Sequence, residues 1–120
     1  MDLKLEMAND VVMLAAVGNL VASETEVLKA QVEKLLEKKF RFMVMDMSRI
    51  DFIDSSGLGS VIAVNKRIAG AGGVLVCAAL QEGVQKVFRV TRADQKIAVA
   101  VTRSDALLLI QERRSSGNGT

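Results

Sequence analysis

Histidine is absent from this sequence of 120 residues, and cysteine occurs once, as Cys77. Because protein zinc sites are built mainly from these two side chains, no zinc site is expected. The lack of histidine also excludes a Ser-His-Asp catalytic relay. Cys77 has no second cysteine with which to form a disulfide, and it lies in the apolar run 74–78. We therefore predict that it is a buried, unreactive thiol.

A strong charge imbalance and long apolar runs are also missing. The 16 basic and 14 acidic residues are scattered and give a net charge of +2, so nucleic acid is not an expected partner. The longest apolar segments, such as residues 11–17, fall short of the roughly 20 residues that a membrane-spanning helix needs. The first residues alternate in charge and do not resemble a secretory signal. We expect a cytoplasmic protein without direct membrane insertion.

The composition indicates one globular domain. Half of the residues are hydrophobic and a quarter are charged, which is enough apolar surface for a core in a chain of this length. No proline marks a linker. The small polar residues of segment 115–120 predict a disordered tail, and we place the domain at residues 1–112 and the tail at residues 113–120.

Hydrophobic periodicity predicts the order of elements. Residues 3–7 alternate between apolar and charged, and Asn9-Asp10 supplies a turn before the apolar run 11–17, which indicates a β-hairpin. Ser23 and Glu26 have the spacing of a capping box, which predicts the start of a first helix. The apolar run 42–45 predicts a central strand, followed by a loop over residues 48–54.

Strands and helices alternate in the remainder of the chain. The predicted elements are a helix with apolar positions from 58 to 69, a glycine-rich turn at 70–73, a strand at 74–79, a short helix near 84–88, a strand at 97–101 and a closing helix near 107–110. The order predicts an α/β fold with a mixed sheet of four to five strands, an opening hairpin and about four helices.

Residues 51–59, Asp-Phe-Ile-Asp-Ser-Ser-Gly-Leu-Gly, are the most informative segment. Aspartate and serine are typical of a helix N-terminus, where they cap free backbone N–H groups. Capping does not explain Gly57 and Gly59, since glycine costs a helix roughly 1 kcal/mol relative to alanine. Bare backbone would let a partner approach closely while Ser55 stays accessible. The spacing alone leaves simple capping and a binding site equally open.

Phosphorylation of Ser55 would make this segment a switch. A phosphoryl group adds roughly −1.5 to −2 charge at a helix end whose dipole favours anions, so the fold would tolerate it. An interface built around an uncharged serine would not tolerate that charge.

The segment resembles the signature of the STAS family, the sulfate-transporter and anti-sigma-factor-antagonist domain. That signature is an apolar strand ending in aspartate, followed by a helix start of the type Asp-Ser-Ser-Gly-Leu-Gly. The matching segments are residues 43–48 and 52–59. The resemblance also covers the hairpin end at 18–20, the glycine turn before Val74 and the order of elements to about residue 110.

This resemblance implies an anti-sigma factor antagonist, a binding module without enzymatic activity or cofactor. In such antagonists the serine that follows the motif aspartate, here Ser55, is phosphorylated by an anti-sigma factor that is a serine kinase with a histidine-kinase-like ATPase fold. The unphosphorylated antagonist binds that kinase, and a PP2C-type phosphatase restores it. The partner-binding residues implied by the match are Asp54, Ser55, Ser56, Gly57, Leu58 and Gly59.

Two other functions of the same family stay open. One is an accessory subunit of a lipid-transport ABC system, in which Ser55 is not phosphorylated. The other is a domain that senses a nucleotide or another anion at the helix start. Antagonists often carry an aspartate just after the Gly-x-Leu of the second strand, where this sequence has Val21, and Glu24 is the nearby carboxylate that could replace it.

Overall fold

The computed structural model describes residues 1–118, with side chains described as far as Arg114. Nine main elements follow one another along the chain. They are β1 (Asp2–Ala8), β2 (Val11–Leu20), α1 (Thr25–Glu37), β3 (Phe42–Ile53), α2 (Ser55–Gly70), β4 (Val74–Ala78), α3 (Glu82–Val90), β5 (Ala98–Ala100) and α4 (Arg103–Asn118). The predicted α/β fold with an opening hairpin is confirmed.

All five strands form one mixed sheet in the order β1-β2-β3-β4-β5. The two-residue turn Asn9-Asp10 joins β1 to β2, which are antiparallel, and Asn9 adopts the left-handed conformation that this turn requires. The other neighbours are parallel, because each pair is joined by a segment that contains a helix.

Helices cover the sheet on both faces. Helices α1, α2 and α3 pack on one face, and α4 packs on the other. Successive side chains of a strand point to opposite faces of the sheet, so each central strand contributes residues to both cores. Leu14, Met45 and Cys77 lie in the larger core, whereas Met13, Val44 and Val76 lie in the smaller core beneath α4.

Strand β3 is longer than the sequence predicts. The predicted loop over residues 48–54 is wrong, because β3 continues to Ile53. Arg49, Ile50 and Ile53 pair with the second half of β2, which supplies the backbone partners. The extension lacks a continuous apolar run, so its sequence pattern does not identify it as a strand.

The predicted capping box at Ser23 is also wrong. Ser23 lies in a 3-10 turn, Ala22–Glu24, and α1 begins at Thr25 without a side-chain cap. The Thr25 hydroxyl donates a hydrogen bond to the Ala22 carbonyl instead.

The last helix extends beyond the predicted end of the domain. α4 runs to Asn118, so residues 113–118 are helical where the sequence predicts a disordered tail, and residues 119 and 120 lie outside the described part of the chain. Within residues 1–118, no helix has the length and apolar character needed to cross a membrane.

Candidate functional site at the start of helix α2

Helix α2 begins immediately after β3, with Asp54 as its capping residue. Asp54 has an extended backbone, and its Oδ1 accepts a hydrogen bond of 2.7 Å from the Gly57 N–H. Its carbonyl oxygen accepts the first helical bond, of 2.9 Å, from the Leu58 N–H. Ser55 and Ser56 are therefore the first two residues of the helix.

The same aspartate ties α2 to the end of β2. Its Oδ2 accepts a hydrogen bond of 3.2 Å from the Ala22 N–H, and its own N–H donates to the Leu20 carbonyl at 3.3 Å. The Asp54 carboxylate thus joins the start of α2 to Ala22, which lies 32 residues earlier in the sequence. This clamp fixes the position of Ser55 relative to the loop that precedes α1.

The six residues predicted to bind a partner differ in exposure. Ser55, Ser56 and Gly59 are exposed, Asp54 is half-buried, and Gly57 and Leu58 are buried. Leu58 packs into the larger core and anchors the helix there. Direct contact with a partner is therefore open to the two serines and to Gly59, while Gly57 and Leu58 support the helix from below.

The two glycines of the motif have different surroundings. A β-carbon on Gly57 would overlap the Leu20 carbonyl group, so this position admits no side chain unless the backbone moves. A β-carbon on Gly59 would meet no atom within 4 Å. Packing inside the chain therefore accounts for Gly57 but not for Gly59, whose bare backbone faces outward.

Phe52 lies at the end of β3, just before the helix start, and the sequence pattern does not identify it as a site residue. The Phe52 side chain is 56% exposed, whereas the next residue, Ile53, is buried in the larger core. The end of β3 does not alternate regularly, since Ile50 and Ile53 are buried while Asp51 and Phe52 are both exposed. No simple period of two in the sequence could therefore have identified Phe52. Asp51 accepts a hydrogen bond from the Gln81 amide.

The carboxylate that contacts the helix start is Asp54. Val21, at the position where antagonists often have aspartate, is half-buried and precedes the 3-10 turn. The Glu24 carboxylate forms an ion pair of 3.0 Å with the amino group of Met1.

The other motif aspartate, Asp46, joins helix α4 to the sheet. Its side chain is 11% exposed; Oδ2 accepts from Arg103 Nε at 2.7 Å and Oδ1 from the Ser48 N–H at 2.9 Å. Burial raises the pKa of Asp46, but the hydrogen bonds from Ser48 and Arg103 together outweigh burial and leave the pKa below its ordinary value. Asp46 is therefore ionised at neutral pH and holds the start of α4 on β3.

Cys77 is fully buried beneath the helices, as predicted. Burial alone raises the pKa of its thiol to about 12. The thiolate, which is the reactive form, is therefore disfavoured at neutral pH.

Comparison with known proteins identifies one domain family over most of the chain, including the segment that carries both aspartates and the two serines. Residues 2–106 match the model of the STAS domain. A candidate anti-sigma factor antagonist of Bordetella bronchiseptica, BtrV, is 28% identical over 106 residues, covering 88% of this chain and 91% of the relative.

Solved structures show the same fold. The crystal structure of a candidate anti-sigma factor antagonist from Thermotoga maritima superposes with a TM-score of 0.85 at 24% identity, covering 91% of this chain and 94% of the other. The Bacillus cell fate determinant SpoIIAA in its phosphorylated form superposes with a TM-score of 0.68 at 20% identity, covering 88% and 96%.

Proposed function

The chain belongs to the STAS domain family, and from this membership we propose that it is an anti-sigma factor antagonist whose binding is switched off by phosphorylation of Ser55. The observation that carries the proposal is the position of Ser55. It is an exposed first residue of α2, on a helix start that Asp54 holds rigidly.

Access and geometry make Ser55 the preferred acceptor. Ser60 is excluded because it is 2% exposed and its hydroxyl donates a short hydrogen bond of 2.6 Å to the Gly57 carbonyl. Ser56 is exposed as well, but it lies one residue further into the helix and does not directly follow Asp54. Ser55 directly follows Asp54, the arrangement that the family resemblance implies for the acceptor.

A phosphoryl group on Ser55 would change binding far more than folding. In the free protein the new charge faces water, where salt screens its repulsion of Asp54, and the helix dipole favours it. In a complex the same charge would be desolvated against the partner, which can cost several kcal/mol, or factors of hundreds in affinity.

The partner is an anti-sigma factor that is a serine kinase with a histidine-kinase-like ATPase fold, and a PP2C-type phosphatase reverses the modification. The contact surface consists of Ser55, Ser56 and Gly59, with exposed Phe52 beside them as an apolar anchor. The chain itself acts as a regulatory binding module and not as an enzyme.

One observation favours a second candidate, the accessory subunit of a lipid-transport ABC system. Val21 supplies no carboxylate where antagonists often have one, and an unphosphorylated clamp would not need it. Anion sensing at the helix start is less favoured, because the Asp54 carboxylate already occupies the Gly57 N–H there.

The test is co-purification from native cells with four tagged forms: wild type, Ser55→Ala, Ser55→Asp and Ser104→Asp. Ser104→Asp is the matched control, because Ser104 is an exposed serine in the first turn of α4. We expect an ATPase partner with every form except Ser55→Asp, and a wild-type phosphopeptide that carries the phosphate on Ser55.

The interaction is then measured with the purified partner. Ser55→Asp should weaken binding at least a hundredfold (about 2.8 kcal/mol), and Ser104→Asp should leave it unchanged. Transporter subunits bound equally by all four forms would contradict the switch and support the clamp.

A further inference from the structure

The sheet face beneath α4 carries charged side chains in register on three adjacent strands. On this face β1, β2 and β3 form cross-strand rows. The rows are Glu6 with Met13 and Val44, Lys4 with Ala15 and Asp46, and Asp2 with Val17 and Arg49.

The apolar side of helix α4 covers the first of these rows, and its first residue, Arg103, reaches Asp46 in the second. Its buried residues Ala106 and Ile110 pack in one cluster with Met13 and Val44. The next two rows have small, half-buried residues on the middle strand, Ala15 and Val17, between charged residues on β1 and β3. The result is a cavity of about 310 Å³ with a shallow floor and charged walls, lined by Lys4, Glu6, Ala15, Ala16, Val17, Asp46, Ser48, Arg49 and Arg103.

A β-bulge brings Arg49 to this cavity. Asp46 pairs with Ala15 and Arg49 with Val17, so two residues of β3, Met47 and Ser48, lie opposite one residue of β2. In a regular strand, residues 46 and 49 would point to opposite faces. The bulge places both on the α4 face while Met47 stays fully buried in the larger core.

The two carboxylates that line the cavity are ion-paired, whereas two of its three cations are exposed and form no ion pair within the described residues. Arg103 holds Asp46 through Nε and Glu6 through Nη1, the latter at 3.0 Å. Lys4 and Arg49 form no ion pair with any residue of the described chain. The lining therefore has three positive and two negative side chains, and its free hydrogen-bonding capacity consists mainly of cationic donors.

We propose that this cavity is a binding site for a small organic phosphate. Lys4 and Arg49, on opposite walls, bind the phosphate group, because a dianion can accept charge-assisted hydrogen bonds from both. The organic part of the ligand packs against Ala15 and Val17 on the floor of the cavity. The volume is at the lower end of the roughly 300–1,000 Å³ of ligand pockets, which fits a small metabolite. The site is separate from Ser55, and the proposal does not depend on phosphorylation there.

The first test is a titration with inorganic phosphate at constant ionic strength, followed by backbone amide chemical shifts in NMR. We expect saturable shifts at Ala15, Val17 and Ser48. The double variant Lys4→Gln/Arg49→Gln should bind phosphate about tenfold more weakly. The matched control is Lys38→Gln/Lys66→Gln, which removes the same charge from the exposed residue that follows α1 and from an exposed position of α2, and which should bind as wild type does.

A second variant fills the cavity and leaves the charge of its lining residues unchanged. Ala15→Leu fills the floor of the cavity and should abolish the saturable shifts. Glycerol 3-phosphate should bind more tightly than inorganic phosphate to wild type, and glycerol should not bind; equal affinity for the two phosphates would refute the contact with the floor.

Three results would overturn the site as a whole. The first is equal weakening in both double variants, which indicates non-specific screening. The second is a set of shifts confined to the start of α2, and the third is the absence of saturable shifts in wild type.

Discussion

The backbone of Gly57 lies directly against the carbonyl group of Leu20, where helix α2 starts beside the end of strand β2. This contact lets Asp54 reach both the Gly57 and the Ala22 N–H groups. The exposed start of α2 is therefore held against the end of β2 by a close approach of two backbones, and Ser55 is the first residue of this helix.

Gly57→Ala should lower the free energy of unfolding by about 1–3 kcal/mol, because the added methyl group overlaps the Leu20 carbonyl. Gly59→Ala is the matched control. Its methyl group enters open space, so we expect higher stability by roughly 0.5–1 kcal/mol from helix propensity. Urea denaturation followed by circular dichroism measures both. Equal effects of the two substitutions would refute the difference in packing.

Asp54→Ala should cost about 1–2 kcal/mol of stability, because it removes the helix cap and the hydrogen bond from Ala22. Asp54→Asn keeps one side-chain oxygen as acceptor and should cost less. Amide hydrogen exchange at Ala22 and Gly57 distinguishes loss of the clamp from a general loss of stability. If only Asp54→Ala accelerates exchange at both amides, and distant core amides are unaffected, the clamp is local as described.

Asp46→Asn should lower the free energy of unfolding by about 1–3 kcal/mol near neutral pH, since it weakens charge-assisted bonds to Arg103 and Ser48. The pKa of Asp46 is depressed in the folded state, so its contribution is present above the unfolded pKa of about 3.9 and is lost as the pH falls through the folded pKa. The difference between wild type and variant should therefore shrink below about pH 4.

Urea denaturation across this pH range measures that difference. Asp94→Asn is the control, because Asp94 is exposed and forms no ion pair within the described residues. A difference between wild type and Asp46→Asn that stays constant into acid would contradict the assignment.

Cys77 should not react with a thiol reagent in the native protein at neutral pH, because burial raises the pKa of its thiol to about 12. The same reagent should titrate one thiol per chain in denaturant. Native reactivity at the rate of an exposed cysteine would show that β4 opens readily to solvent.

Local patterns were sufficient to predict the hairpin, the alternation of strands and helices, and the helix start at Ser55. Each depends on residues close together in the sequence, where spacing reports which side faces the core. The same patterns failed at Ser23 and at residues 48–53. Ser23 lies in a turn whose Ala22 N–H is held by Asp54, and the end of β3 is a strand only because β2 offers a partner.

The sequence by itself determined the fold class, the family and the segment that carries Ser55, because these depend on periodicity and on a contiguous motif. Only the tertiary structure decided which motif residues face solvent. Gly57 lies against Leu20, a β2 residue more than thirty positions earlier in the sequence, whereas Gly59 has no such neighbour. The tertiary structure also decided that Asp46 and Arg49 share one face, and that Arg103, 57 residues after Asp46, binds it. Such relationships arise from strand pairing and helix packing between distant segments, which no local spacing records.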